Sequence, residues 1–382
     1  MTPRLYHQLE SQLSQWMKPK DQRHLRGVAE IVAAMLQSGS GCVSHWLPYL
    51  AHRDCQARSH MARLSYLLHN PQMTPERYYQ PLMRALLADC QGTEMSLSLD
   101  TSMLWNQYCL IEVCWVWGGR SIPLAQDVIE HSSASVSFEQ YRPVLESARA
   151  VLPDNCTVTL LADRGFEHGA LMRWLAQNQW HWCIRAKSDL LVALAGGGNY
   201  KVSQLLPPEE EARFYPNVNI LNDVSCHLAT ANLTEAGEPW AVLTDKSLSL
   251  QVFANYGQRF GSVEPLFKDY KSAAFNLLRS GVRDADALRC LLMLLAIASI
   301  LAVHLAVMLV QYGQRQRLDW HSQRGLSFLQ LGLREVQRRL YLGWVYPPLT
   351  PLPPISPPTA CASVTKRHIL DCQIEFSRVS TA

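Results

Sequence analysis

The sequence is poor in several features that would place it in a special class. Only 18% of its 382 residues are charged while 48% are hydrophobic, a globular balance that excludes wholesale disorder. The 11 cysteines are odd in number and lack the paired spacing of a disulfide framework or a zinc site, so we expect free thiols in a reducing compartment. The N-terminal stretch lacks an apolar segment, and we expect no secretory signal there.

Lysine is scarce as well. Eight lysines stand against 27 arginines, and the formal net charge is +3. Because the planar guanidinium matches phosphate oxygens, this bias favours a phosphate-rich partner. A high-GC codon usage would give the same excess, so composition leaves both explanations open.

Long hydrophobic runs are also lacking, with one exception at 290–310. These 21 residues carry no formal charge, and their number matches the length that crosses a bilayer core. Ser299 and His304 lie inside the run, Arg289 adjoins it, and no second run follows to form a bundle. A helix buried on all sides gives the same pattern, so we predict a core helix and no membrane association. A membrane protein is the alternative, and it depends on this run alone.

Residues 1–90 show apolar groups at helical spacing, and we predict a helical region there. Ten basic residues stand against six acidic ones, which gives the region a charge of +4. The pattern predicts a helix over 23–37, a Gly-Ser turn at 38–41 and a second helix from about Val43. This outline is typical of a DNA-binding helix-turn-helix, but equally of any pair of antiparallel helices.

The pattern changes near Gly92 to that of an α/β domain. Strands are predicted at 95–100, 106–119 and 120–130, a helix at 137–152, a strand at 156–163, a helix at 166–178 and a strand at 181–187. The order βββαβαβ indicates a mixed sheet over 91–189. We predict a β-rich insertion at 190–254 and helices over 255–345. The segment 347–358 has seven prolines in twelve residues, so 346–382 is predicted to be a linker and a disordered tail.

Two aspartates end predicted buried strands. Asp100 closes MSLSLD, and Asp163 closes TVTLLAD, where the following Arg-Gly pair permits a sharp turn. A carboxylate at the end of a hydrophobic strand is unfavourable unless something pairs with it, and a divalent cation is a common partner. Aspartates that merely cap a turn are also frequent at this position.

A third acid, Glu264, opens a predicted helix and is surrounded by cations. Arg259, Lys268 and Lys271 lie within seven positions of it, and Tyr256 precedes them. Glu264 and Lys271 are two helical turns apart and so share one face. A solvated amphipathic helix would show such pairs too, but it does not account for the two aspartates that precede it.

This order of motifs resembles the DDE transposases of bacterial insertion sequences. SLSLDTS, LLADRGFEHGALMRWL with CIRAKSD, and YGQRFGSVEPLFKDYKS are similar to the three acidic blocks of the cut-and-paste family that carries a Tyr-Arg-Glu-Lys signature, insertion sequence family four. The resemblance covers about residues 20–345.

The resemblance implies a ribonuclease H-like fold in which Asp100, Asp163 and Glu264 hold two Mg²⁺ or Mn²⁺ ions. Two metal ions can stabilise the attacking and the leaving oxygen at the same time, both when a phosphodiester is cleaved and when a new one is formed. It further implies that Tyr256, Arg259 and Lys271 contact DNA phosphates.

The partners that the resemblance implies are macromolecular. They are transposon-end DNA with its terminal inverted repeats, target DNA and a second copy of the chain in a homodimer. The N-terminal region would bind the repeats, and the insertion would help to hold the end. The compartment implied is the bacterial cytoplasm, at the nucleoid.

The sequence departs from the family at one point, because four residues separate Arg259 from Glu264 where the family has three. On a continuous helix this would rotate Arg259 by about 100° away from Glu264. Ser262 and Pro265 favour a helix that begins near Val263, which would leave Arg259 on an adjustable segment, and a π-bulge is the other remedy. A nuclease of the same fold and a degenerate copy that binds DNA ends without cutting them are the alternatives.

Overall fold

The computed structural model describes residues 4–50, 55–118, 120–221, 223–232, 237–321 and 325–357. The helices are α1 (Leu5–Leu13), α2 (Gln22–Ser38), α3 (Ala57–Leu68), α4 (Pro75–Leu86), α5 (Phe138–Arg149), α6 (Gly169–Gln177), α7 (Gln251–Gly257), α8 (Val263–Lys268), α9 (Ala285–Gln311) and α10 (Phe328–Tyr341). The strands are β1 (Glu94–Leu104), β2 (Tyr108–Trp117), β3 (Arg120–Glu130), β4 (Thr157–Ala162), β5 (His181–Arg185), β6 (Leu191–Ala193), β7 (Asn199–Lys201), β8 (Glu211–Ile220), β9 (Val224–Asn232) and β10 (Trp240–Thr244).

The strands form one mixed sheet in the order β3-β2-β1-β4-β5-β10-β9-β8-β6-β7. β1, β4 and β5 run parallel, while β2 and β3 extend β1 as an antiparallel meander. The predicted element order βββαβαβ over 91–189 is confirmed, because α5 and α6 connect β3, β4 and β5. The result is a mixed α/β fold with a large mixed sheet, consistent with the ribonuclease H-like architecture.

The segment 190–254 contains β6 to β10, and these strands continue the main sheet. β10 pairs antiparallel with β5, so the sheet passes without a break from the parallel strands into the segment predicted as an insertion. β8 and β9 form its long hairpin, with a bulge between Tyr215 and Val218. α7 begins at Gln251, four residues before the predicted boundary at 255.

Helix α9 is the apolar run that the sequence predicts as a core helix. It is long and apolar enough to cross a membrane by length and composition, yet 94% of its most apolar window is buried inside the protein. It packs against α2, α10 and β3. A β-carbon at Gly332 of α10 would overlap the carbonyl of Ala302, so α10 crosses α9 at a distance that only glycine allows. Burial within the fold therefore accounts for the hydrophobicity of this helix.

The N-terminal helices share the core of the sheet domain. α2 agrees with the predicted helix at 23–37, and Gly39 ends it in the left-handed conformation. The second helix predicted from Val43 is wrong as an α-helix, because Val43–Tyr49 forms a 3₁₀ helix that contains Pro48. Proline lacks the N–H that an α-helix interior needs, and the next α-helix begins only at Ala57.

The prediction of a linker from residue 346 is wrong for its first part, because residues 346–357 pack on the body of the protein. The Tyr346 hydroxyl donates to the Leu301 carbonyl of α9 at 2.7 Å, and the Leu352 N–H donates to the Leu86 carbonyl of α4 at 2.7 Å. Leu352 is fully buried. Prolines in this segment leave few backbone donors to satisfy, so it can cross the surface as an extended strap. The predicted disordered tail at 358–382 lies outside the described residues.

His304 of α9 holds the strap and should make its docking sensitive to acid. Its Nε2 accepts the Thr350 N–H at 3.1 Å, and burial lowers the pKa of His304 from 6.5 to about 4. The neutral ring therefore stabilises the fold fully above pH 6.5, and this contribution is lost as the pH falls towards 4. In thermal unfolding at pH 7, 5.5 and 4, we expect the wild-type midpoint to fall further than that of His304→Gln, which keeps an acceptor but does not titrate. Equal falls in the two proteins would contradict this assignment.

Candidate active site

Asp100 and Asp163 lie side by side on adjacent parallel strands. In the register of β1 and β4, Leu99 pairs with Ala162, and the next position on each chain is the aspartate. Two aspartates that are distant in sequence are thus brought together by strand pairing alone. Asp100 is nearly buried, whereas Asp163 is about two-fifths exposed at the end of its strand.

The turn after Asp163 depends on Gly165. The Asp163 Oδ1 atom accepts the Gly165 N–H at 2.8 Å and so caps the short helical turn that follows β4. A β-carbon at Gly165 would lie 2.9 Å from this oxygen, which is too close for any other residue without a shift. Gly165 therefore allows the Asp163 carboxylate to cap the turn that follows it.

The Arg259 guanidinium lies between the two aspartates. Its Nη2 is 2.7 Å from Asp100 Oδ2 and 3.8 Å from Asp163 Oδ2, and the arginine side chain is 6% exposed. Burial raises the pKa of Asp100 to about 6, and the Arg259 charge opposes this rise. Asp100 and Arg259 thus form a buried ion pair.

Glu264 stands at the start of α8, near this pair but not in contact with it. α8 begins at Val263, as the sequence predicts, and a 3₁₀ turn at Gln258–Gly261 separates it from α7. The Ser262 hydroxyl donates to the Arg259 carbonyl at 2.7 Å and fixes the break between the helices. Glu264 is exposed, and its charge acts on both Asp100 and Arg259.

Lys271 is anchored on the strand that carries Asp100. Its Nζ donates to the Ser102 hydroxyl at 2.7 Å, two positions beyond Asp100 on the same face of β1. The contact comes from a π-helical turn at Asp269–Ala273. This turn lies after Glu264, so between Arg259 and Glu264 the structure has the predicted helix start at Val263 and not the π-bulge. Burial lowers the pKa of Lys271, whose side chain is partly covered.

Tyr256 is the predicted DNA contact that the structure places deepest. It is 1% exposed, and its ring packs edge-on against Trp240 and Phe260. A direct phosphate contact by Tyr256 or by Arg259 therefore requires a rearrangement of the α7–α8 segment. Lys271 needs a smaller change, because its side chain is only half-buried.

Glu112 is a carboxylic acid at this site that the sequence analysis missed. It lies opposite Asp100 in the β1–β2 register and is fully buried. Among the described residues the Cys114 thiol is its only hydrogen-bonding neighbour, and no nitrogen or oxygen donor reaches its carboxyl oxygens. Burial raises the pKa of Glu112 from 4.5 to about 8, and the nearby Asp100 charge acts in the same direction, so the site favours the neutral acid. The sequence pattern that could have identified Glu112 is a single acid within the apolar strand YCLIEVCWVW.

The aspartate pair fits a divalent cation by the chemistry of its donors. Carboxylate oxygens are the ligands that Mg²⁺ and Mn²⁺ prefer, and both aspartates already face one cationic group. In the part of the chain that the structure describes, no group of three or more His, Cys, Asp or Glu side chains is close enough to hold a metal ion. The structure therefore brings Asp100 and Asp163 together and leaves Glu264 outside.

A mixed α/β sheet with two carboxylates at neighbouring strand positions defines a protein suited to binding cations at the sheet. A comparison with known families supports one class. Residues 112–301, just under half of the chain, match the family model described as a transposase DDE domain. The matched range includes Asp163 and Glu264 and begins in β2, after Asp100. This match supports a transposase of the DDE class, whose members generally use divalent metal ions.

The other comparisons add little. No curated protein matches the chain. Among solved structures, the chain is similar to a piggyBac transposase in a synaptic complex with hairpin DNA, determined by cryo-EM. The identity is 11% and the TM-score is 0.41, over 98% of this chain and 83% of the other. A likeness of this size carries no argument of its own.

Removing Arg259 should destabilise the protein in a way that a divalent cation can repair. Arg259→Gln leaves two carboxylates without their counter-charge, so we expect a loss of about 3–5 kcal/mol of unfolding free energy in the presence of a chelator. Because an ion that binds only the folded state stabilises it, Mn²⁺ should raise the unfolding midpoint of Arg259→Gln more than that of the wild type.

Arg185→Gln is the matched control for this experiment. Arg185 is also buried, donates to the Pro239 carbonyl and pairs with Glu238. Its loss should destabilise the protein without any added rescue by Mn²⁺. The same response to Mn²⁺ in both variants would show that the aspartate pair does not bind the ion.

Proposed function

We propose that the chain is a transposase that cuts insertion-sequence ends and joins them to target DNA, with Asp100, Asp163 and Glu264 as ligands of two Mg²⁺ or Mn²⁺ ions. The observation that supports this most is the pairing of Asp100 and Asp163 around one cationic group. Ions bound there would supply Lewis-acid stabilisation of the attacking and leaving oxygens.

The residues of the chain then have separate tasks. Asp100, on the middle of β1, is held by the Thr101 N–H at 2.8 Å, and Asp163 is held by its capped turn. Both carboxylates are therefore positioned by the backbone before any ligand arrives, which reduces the reorganisation that binding requires. Glu264 supplies the third negative charge from a short helix beside them.

Lys271 is the best-placed residue for a DNA phosphate. Its amine is tied to Ser102 by a single hydrogen bond to a neutral group, so turning towards a phosphate breaks no ion pair. A charge-assisted bond to phosphate is stronger than this neutral one. Arg259 and Tyr256 would join it only after the segment between α7 and α8 has moved.

An open groove lies beside Glu264. It has a volume of about 540 Å³, and the residues that line it include Arg120, Lys268 and Gln330. Arg120 and Lys268 stand there beside Glu264 and Asp269, so the groove offers cations for a DNA phosphate next to one proposed metal ligand. Element-end DNA and target DNA are the proposed partners, in a homodimeric complex at the nucleoid.

Replacing Asp163 with asparagine tests this function. Asp163→Asn keeps the shape of the side chain but removes its charge, so Mg²⁺-dependent cleavage of a duplex carrying the element end should fall by at least 10³-fold while DNA affinity persists. Asp286→Asn, at an exposed ion pair with Arg289, is the control and should cleave normally.

Two outcomes would contradict the proposal. Normal cleavage by Asp163→Asn would exclude the site, and cleavage without recovery of insertions elsewhere would indicate a nuclease of the same fold instead. The wild-type protein should therefore be tested for strand joining with pre-cleaved ends as well as for cutting.

A further inference from the structure

Helix α10 presents one polar stripe that starts at the groove beside Glu264. Gln330 lines that groove, and Arg334, Arg338 and Tyr341 follow it at spacings of four, four and three residues. Residues at these spacings lie on one face of a helix. From Gln330 to Tyr341 the stripe is about 16 Å long, which is close to the length of five nucleotides at about 3.4 Å each.

The acids near this stripe are buried beneath their own arginines. The sequence from 312 to 345 has six arginines and two acids. Asp319 is fully covered and pairs with Arg315, while Glu335 is 2% exposed and pairs with Arg338 and Arg339. The positive charge of the segment therefore faces outward.

Two exposed arginines of this segment bond to neutral groups. Arg317 donates to the Gln314 side chain, and Arg334 donates to the Leu318 carbonyl. The second bond ties α10 to the preceding loop and so places Arg317 and Arg334 on neighbouring elements. Both guanidinium groups keep donors for a phosphate and lose no ion pair by binding it.

Large aromatic side chains stand among these arginines in contact with solvent. Trp320 is 82% exposed, Tyr341 90% and Trp344 44%, and the Arg338 guanidinium lies 4.8 Å from the Trp344 ring centre. Single exposed apolar residues are common. Three exposed rings among outward-facing arginines, however, form the kind of surface on which nucleic-acid bases stack. A second protein chain would meet the same rings, yet it would have to neutralise the surplus of cations.

We propose that this surface, formed by Arg317, Trp320, Arg334, Arg338, Tyr341 and Trp344, binds the DNA that extends past the cleavage position. The inference rests on the proposed function, since it takes Glu264 as the place where the DNA is cut. Phosphates contact the arginines along the stripe, and exposed bases of the same strand stack on the rings. The surface thereby holds about five nucleotides beyond the groove.

The experiment measures how much the DNA beyond the cleavage position, called the flank, adds to the binding affinity. Element-end duplexes that stop at the cleavage position, or that continue beyond it as a single strand of ten nucleotides, are compared by fluorescence anisotropy over a series of salt concentrations. The wild-type protein should bind the longer DNA several-fold more tightly. In Arg317→Gln/Arg334→Gln this gain should disappear, and the steepness of the plot of log affinity against log salt should fall by about 1.4 on the longer DNA.

Two further variants make the result specific. Arg142→Gln/Arg149→Gln removes two exposed arginines from α5 and should keep both the gain and the slope. Trp320→Ser/Tyr341→Ser keeps all arginines, so it should keep the slope but lose part of the gain. These exposed positions are chosen so that each variant retains the wild-type unfolding midpoint, and either double variant alone suffices for the test.

The possible outcomes distinguish this inference from the proposed transposase function on which it rests. A flank gain that persists in both surface variants overturns the inference, even where the wild-type protein cleaves DNA. A change in self-association of these variants at constant flank gain also overturns it, because the surface is then an interface between copies. Absence of metal-dependent cleavage by the wild-type protein, with a flank gain that the variants abolish, contradicts the proposed function alone.

Discussion

The buried ion pair between Asp100 and Arg259 joins the central sheet to the segment that carries Glu264, and the local arrangement depends on it. A carboxylate on the inner part of β1 is unfavourable without a counter-charge, and the α7–α8 connection supplies one from 159 positions away. The same connection is fixed by Ser262 and covered by the packing of Tyr256. A cation that replaced the guanidinium would therefore release the element from which the third carboxylate extends.

The buried polar groups next to the Asp100–Arg259 pair indicate that the local charges at this site can change. Burial raises the pKa of Glu112, and the Arg259 Nε atom has no acceptor among the described residues. Neither group is in its best environment, since buried polar atoms are usually hydrogen-bonded. Structures tolerate such groups at functional sites, where a ligand changes the local charge. The arrangement around Asp100 suits a site that exchanges one cation for another.

Local sequence patterns predicted the strands and helix starts that depend on neighbouring residues. The hydrophobic runs before Asp100 and Asp163 predicted their strands, and Pro265 predicted the start of α8. The end of the first strand was wrong, because β1 continues to Leu104 and Asp100 lies within it. Long-range pairing could not be predicted, because nothing local shows that Glu112 lies opposite Asp100 or that Arg259 reaches between the aspartates. Composition misled at 346–357, where prolines suggested a free linker, since the carbonyls that the strap contacts belong to distant helices.

The most direct test of this account is where a divalent ion binds. Crystals of the protein grown with Mn²⁺ would give an anomalous signal at the ion. The account predicts a peak within ligand distance of both Asp100 and Asp163, about 2.0–2.3 Å from their oxygens, with the Arg259 guanidinium withdrawn from between them. A peak elsewhere, or an intact ion pair between Asp100 and Arg259 at saturating Mn²⁺, would contradict it.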